Sequence, residues 1–167
     1  MIFNFKVEFD LFEELSKRLE ALDGQEVSIG MFEEQGKHKD SGFTYAALLK
    51  YHADGNPAKN LPPRSPLHVA VGLNPIEVSP MRRGLNNYLK DLKNPVGIKG
   101  KSLLRNVGVF YRRKAREVFG NESLLRKKSA STRKASISPN TPLVETRNLA
   151  RKMAYRVNKE VPKPINR

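Results

Sequence analysis

Three histidines, His38, His52 and His68, are the natural starting points for any chemistry in this chain of 167 residues. Imidazole titrates near neutral pH and binds metals, so each is a candidate base or ligand. Their spacing argues against both roles. None falls at metal-ligand intervals, and His38 with Asp40 supplies two donors where a metal site needs at least three. The chain has no Cys, which rules out a thiolate nucleophile, a disulfide and Cys-ligated zinc. The acidic pairs Glu13/Glu14 and Glu33/Glu34 are sequence neighbours, and neighbours on a helix point apart rather than forming an acid–base pair. No glycine-rich loop leads into Lys-Ser or Lys-Thr. Several Ser residues lie beside cations, yet no base with an orienting group accompanies them. The residues therefore predict no catalytic site, no metal, no cofactor and no enzyme.

Cations are what the sequence supplies in quantity. Residues 1–98 hold 12 Lys and Arg against 13 Asp and Glu, a net of −1. Residues 99–167 hold 19 against 4, a net of +15, so the whole excess of +14 lies in the second part. A block this one-sided suits a polyanion or an acidic protein surface. Arg105, Arg112, Arg113 and Arg116 recur along one helical stretch, and Arg126, Lys127, Lys128, Arg133 and Lys134 follow within a Ser-rich segment. Together they form a predicted basic docking surface. No helix-turn-helix signature, zinc-finger spacing or set of stacking aromatics goes with it, so sequence-specific readout of DNA is not expected.

These side chains need elements to position them. "IFNFKVEF" alternates through Phe3, Phe5, Val7 and Phe9 and reads as a half-buried strand. Asp10 would then cap a helix, with Glu13 completing a capping box. Leu11, Leu15, Leu19 and Leu22 would face the core, and Gly24 would end the helix. "EVSIGMF" alternates through Val27, Ile29 and Met31 as a second strand, and residues 33–43 form a polar loop. Thr44 caps a helix stopped by Gly55. The four prolines in residues 56–66 exclude a regular element there. "PLHVAVG" leans toward a strand. Residues 80–92 predict a helix broken by Pro95 and Gly97. Residues 101–119 predict the longest helix, with Leu104, Val107, Tyr111, Ala115 and Val118 as its inner stripe. A flexible basic loop is expected at about 121–141. A helical turn, a strand through Met153, Tyr155 and Val157, and a short tail complete the pattern. The order of elements predicts a single α+β domain over residues 1–167, with a small antiparallel sheet packed against several helices.

Two stretches share a wider pattern. "VSIGMF" is followed by a Gly-containing loop and then "YAALLKYHADGNPAKNLPPRSPL"; "TPLVETRNLARKMAYRV" comes later. This arrangement resembles the small neck and tail-completion (minor tail, virion morphogenesis) proteins of tailed bacteriophages. Ile29 and Gly30 match the family's strand. Tyr45, Ala46, Tyr51 and Gly55 match its helix and stop. Pro63, Arg64 and Pro66 match its Pro-x-Arg-Pro-Phe loop, with Ser65 inserted and Leu67 in place of Phe, and Pro142, Leu143, Thr146 and Leu149 match its late segment. Glu145 stands where the family has Asp, and Arg147 where it has Gly, which removes the backbone freedom of that turn.

The resemblance implies a structural virion protein of the phage neck or tail end, acting in a ring as a head–tail joining or tail-completion component. Its implied partners are other copies of itself, the connector or stopper, the tail-tube proteins and, non-specifically, packaged DNA. Its implied location is the virion, after assembly in the host cytoplasm. Arg64, Pro63, Pro66 and Tyr51 would then form an inter-subunit contact, with the Arg64 fork presented at the surface to a neighbour's carboxylate. The alternative from another class is a small basic protein that binds nucleic acid non-specifically. No apolar run approaches the ~20 residues of a membrane helix, and "MIFNFKVEFD" lacks the pattern of a signal peptide.

Overall fold

The computed structural model describes residues 5–75, 80–91, 96–143 and 147–160. Helices α1 (Phe5–Glu20), α2 (Tyr45–Asp54), α3 (Pro66–Leu73), α4 (Pro80–Lys90), α5 (Val96–Val118), α6 (Ala130–Ala135) and α7 (Asn148–Arg151) accompany strands β1 (Val27–Gly30) and β2 (Ala154–Val157). The two strands pair antiparallel, with Val27 opposite Val157 and Gly30 opposite Ala154. This is a small single-domain α+β fold, as the order of elements predicts.

Helix α5 is the spine. It packs against α3, α4, α1 and both strands. Its predicted stripe is buried throughout: Leu104, Val107, Tyr111, Ala115 and Val118 are each at most 8% exposed. Burial of such side chains is the main favourable contribution to the fold, about 1.5–3 kcal/mol for each large one. Gly108 lies beneath the Tyr155 ring, and a Cβ there would overlap the ring atoms, so only glycine lets β2 lie this close to α5. One core cluster joins Met31, Tyr45, Ala70, Ala115, Phe119, Leu125 and Met153; a second joins Leu104, Tyr155 and Val157.

The local signals at α2 hold. Thr44 Oγ1 accepts from the Ala47 N–H at 3.1 Å, and Gly55 ends the helix at φ +72°. Several expectations are corrected. Residues 5–9 are helical, not extended, while Phe3 lies outside the described residues. Phe5, Phe9 and Phe12 also recur at helical spacing, and in the described residues β1 has β2 as its strand partner. Asp10 is accordingly inside α1 and cannot cap it. Leu15 and Leu19 face solvent at 36% and 52% exposure, whereas Arg18 of the same helix is fully buried. The Leu11 side chain lies outside the described residues.

Residues 66–73 form a helix rather than a strand. Ser65 Oγ accepts from the His68 N–H, and Pro66 occupies the first turn, where its missing N–H costs nothing. Pro57–Lys59 forms a 3-10 turn within the Pro-rich loop. Helix α5 starts at Val96, so Gly97 lies inside it; Pro95 and Leu92 lie outside the described residues. The segment expected as a loop at 121–141 contains α6, capped by Ser129 Oγ accepting from the Thr132 N–H.

Candidate functional site

The loop after α2 folds back on the helix. Gly55 makes this possible for two reasons: its φ is positive, and a Cβ would come within 2.7 Å of the Pro63 nitrogen. The Arg64 N–H then donates to the His52 carbonyl at 2.7 Å. This backbone arrangement turns the Arg64 side chain inward, leaving it 5% exposed. Its Nε donates to the Arg126 carbonyl and its Nη2 to the Lys127 carbonyl. Burial pulls its pKa down from the usual guanidinium value.

The expectation of a surface fork at Arg64 is therefore corrected. Carbonyls in an irregular segment need donors, and the Arg64 guanidinium supplies two at once. Pro66 is also fully buried. Of the four predicted contact residues, Pro63 and Tyr51 remain exposed.

A cleft of about 310 Å³ opens beside Arg64, and His38, His52, Lys59, Lys128 and Arg147 are among its lining residues. His52 Nδ1 is buried without a hydrogen-bond partner. Burial, reinforced by the nearby Arg64 cation, lowers the His52 pKa. Lys128 turns its ammonium to Ser136 Oγ at 2.6 Å and the Ser138 carbonyl at 2.8 Å, bracing the turn after α6.

The nine cations predicted as one surface are distributed over several places. Arg105 lies 3.5 Å from Glu160, which Lys101 also pairs. Arg112 stacks over the Tyr155 ring at 5.1 Å, and burial lowers its pKa. Lys127 pairs loosely with Glu122 at 3.8 Å. Arg126, Arg133 and Lys134 are exposed.

Arg113 and Arg116 belong to a different grouping. They line a concavity of about 690 Å³ together with Arg147 and Arg151 of the α7 region. Glu117 is the single carboxylate among its lining residues; Lys114 lies 2.8 Å from it and Arg113 3.7 Å. Four guanidiniums on one concave wall can hold phosphates or carboxylates bidentately. Sequence reasoning missed Arg147 and Arg151 as members of this site. The available signal was their four-residue spacing in "RNLAR", which puts both on one side of a helical turn.

Arg147 also lines the smaller cleft, so it joins the two. It adopts the left-handed conformation, φ 59° and ψ 5°. That conformation suits glycine best, and here an arginine adopts it. Among the described residues, no three His, Asp or Glu side chains are placed to hold a metal ion. Among them, too, no helix is long and apolar enough to cross a membrane. No protein-family model, curated protein or solved structure matches this chain.

Proposed function

We propose that this chain is a structural protein of the phage neck or tail end, working in a ring of identical copies as a head–tail joining or tail-completion component. The observation that carries the reading is the concavity walled by Arg113, Arg116, Arg147 and Arg151, built across α5 and the α7 region. It is a docking surface for an anionic partner, next to a fold whose described side chains form no metal cluster. The order of the strand, helix, Pro-rich loop and late Pro-Leu segment adds the particular assembly. The partners are further copies of the chain, the connector or stopper and the tail-tube proteins, and the location is the virion.

The same four arginines favour a second reading, non-specific binding of a nucleic acid backbone. Salt dependence separates the two. If all four meet phosphates on duplex DNA, the affinity falls with a log–log slope near −3.6, roughly 10²-fold between 50 and 200 mM salt. An Arg116→Ala/Arg151→Ala double variant then loses about half of that slope. Its melting transition moves by no more than about 0.5 kcal/mol, because neither residue supports the core. Detecting the chain in purified particles by mass spectrometry tests the neck reading directly. Its absence from intact particles, combined with tight salt-dependent DNA binding, replaces the neck reading with the second.

A further inference from the structure

Helix α1 is turned the wrong way for a subunit that works alone. Phe12, Leu15 and Leu19 are 75%, 36% and 52% exposed, and their spacing of three and four residues puts them on one stripe. Arg18, which borders this stripe about a quarter-turn round the helix, is completely buried. Arg18 Nη1 donates to the Tyr88 carbonyl and its Nε to Glu14 Oε1 at 3.2 Å, while Tyr88 Oη donates to the Arg18 carbonyl at 3.0 Å. These bonds fix the rotation of the helix about its axis. Rolling α1 to bury the stripe would break both Arg18–Tyr88 hydrogen bonds. The apolar stripe is therefore held outward, and contiguous exposed apolar surface of this kind marks an interaction site.

We infer that this stripe docks onto the basic segment around Ile137 of a second copy of the chain, head to tail. The inference rests on the ring reading proposed above and names the contact that would build the ring. Charge complementarity selects the occupant. Glu13 and Glu20 lie along one side of the stripe with Lys17, which pairs with Glu13 at 2.7 Å, and Asp23 and Glu26 follow it, all exposed, so the rim is net acidic. In the other copy, Ile137 is 83% exposed and lies just beyond Arg133 and Lys134 of α6. An acid-rimmed apolar stripe thus meets an apolar residue in a basic rim.

The two surfaces lie at opposite ends of the spine. The C-terminal end of α1 approaches Gly100 near the start of α5, where Leu22 lies within 3.1 Å of a Cβ placed on that glycine. The segment carrying Ile137 follows the far end of α5, where the Gly120 N–H donates to the Pro142 carbonyl. Helix α5 has 23 residues, so the two ends are separated by roughly 30 Å. Different surfaces at opposite ends make a heterologous contact, which closes into a ring when the rotation permits.

The chain contains no Cys, so introduced thiols report on this contact alone. Leu19→Cys and Ile137→Cys are combined in the full chain, and the purified protein is treated at high concentration with a mild thiol oxidant. The expected product is a ladder of disulfide-linked multimers beyond the dimer on a non-reducing gel, with the melting transition unchanged because both positions are exposed. Two results overturn the inference. One is a dimer formed as efficiently by Leu19→Cys alone, which would mean that the stripe pairs with itself about a two-fold axis. The other is a double variant that cross-links no better than Leu19→Cys with Asp54→Cys. Mass spectrometry of particles keeps this outcome apart from the neck reading. A chain present in particles but without the ladder loses the contact and keeps the neck reading. A chain missing from particles that still forms the ladder keeps the contact and loses the neck reading.

Discussion

Arginine is put to opposite uses at two places in this molecule. Arg64 is buried, with its guanidinium closed on the carbonyls of Arg126 and Lys127. Arg113, Arg116, Arg147 and Arg151 instead line an open concavity in which Glu117 is the single carboxylate. The first arrangement replaces backbone hydrogen bonds that an irregular segment cannot make for itself. The second turns guanidiniums toward an open concavity, although Arg113 also pairs with Glu117. The lesson is that an arginine in a Pro-braced loop is not a surface fork by virtue of its loop. What decides is whether unpaired carbonyls lie within reach, and those come from residues some sixty positions away in the chain.

The sharpest break of this comparison comes at Arg64. Arg64→Ala leaves the Arg126 and Lys127 carbonyls without their donors and empties a buried site, so the expected loss of stability is about 3 kcal/mol. Thermal or urea unfolding of the purified chain measures it. A variant as stable as the parent, with impaired particle assembly, would return Arg64 to the docking role that its loop first suggests.

Arg147 tests the other side of the comparison, with a smaller effect of the opposite sign. A non-glycine residue in the left-handed region is strained, so Arg147→Gly should stabilise the chain by up to about 1 kcal/mol. Binding to a polyanion such as heparin should weaken in the same variant. A gain in stability without a loss of binding would remove Arg147 from the concavity's function.

The smallest effect is a pH dependence at His52, beside Arg64. Its pKa in the folded protein lies below the ordinary 6.5 because burial and the Arg64 charge disfavour the imidazolium. The unfolded chain therefore binds the proton first. Stability from this group is unaffected well above pH 6.5 and falls as the pH drops through that value, levelling off below the folded pKa. The slope is at most about 1.4 kcal/mol per pH unit. Unfolding measured between pH 7.5 and 5.5 should show a shallower decline in His52→Gln, provided that the substitution does not itself unfold the loop. An unchanged slope would mean that His52 accepts its proton without cost.

Local signals were legible wherever they were sufficient on their own. The Thr44 cap and Gly55 stop of α2 need only neighbours in sequence. The α5 stripe needs only a period, and the strand expected through Met153, Tyr155 and Val157 is found as β2 at Ala154–Val157, although Ala154 is buried along with Tyr155 and Val157. The misreadings share one physical origin. Phe3, Phe5, Val7 and Phe9 alternate, yet Phe5, Phe9 and Phe12 also fit a helix, and only the availability of a pairing strand separates the two. The side of α1 that faces inward was likewise unreadable, because Arg18 is anchored by Tyr88 of α4. At the candidate site, the cations of α5 were legible as basic but not as a grouping. Arg147 and Arg151 reach Arg113 and Arg116 only once α7 is set beside the end of α5.

The small sheet also bears on how the molecule comes to be folded. Val27 pairs with Val157 and Gly30 with Ala154, so β1 waits for residues from far along the chain. Met153, Tyr155 and Val157 carry both core clusters across that junction. Closing so long a loop is entropically costly and kinetically late. During synthesis the underside of α5 must stay partly bare until β2 has left the ribosome, and Gly108 cannot be covered before Tyr155 arrives. Until residues 154–157 arrive, the nascent chain thus holds an unfinished core, which β2 then closes like a clasp.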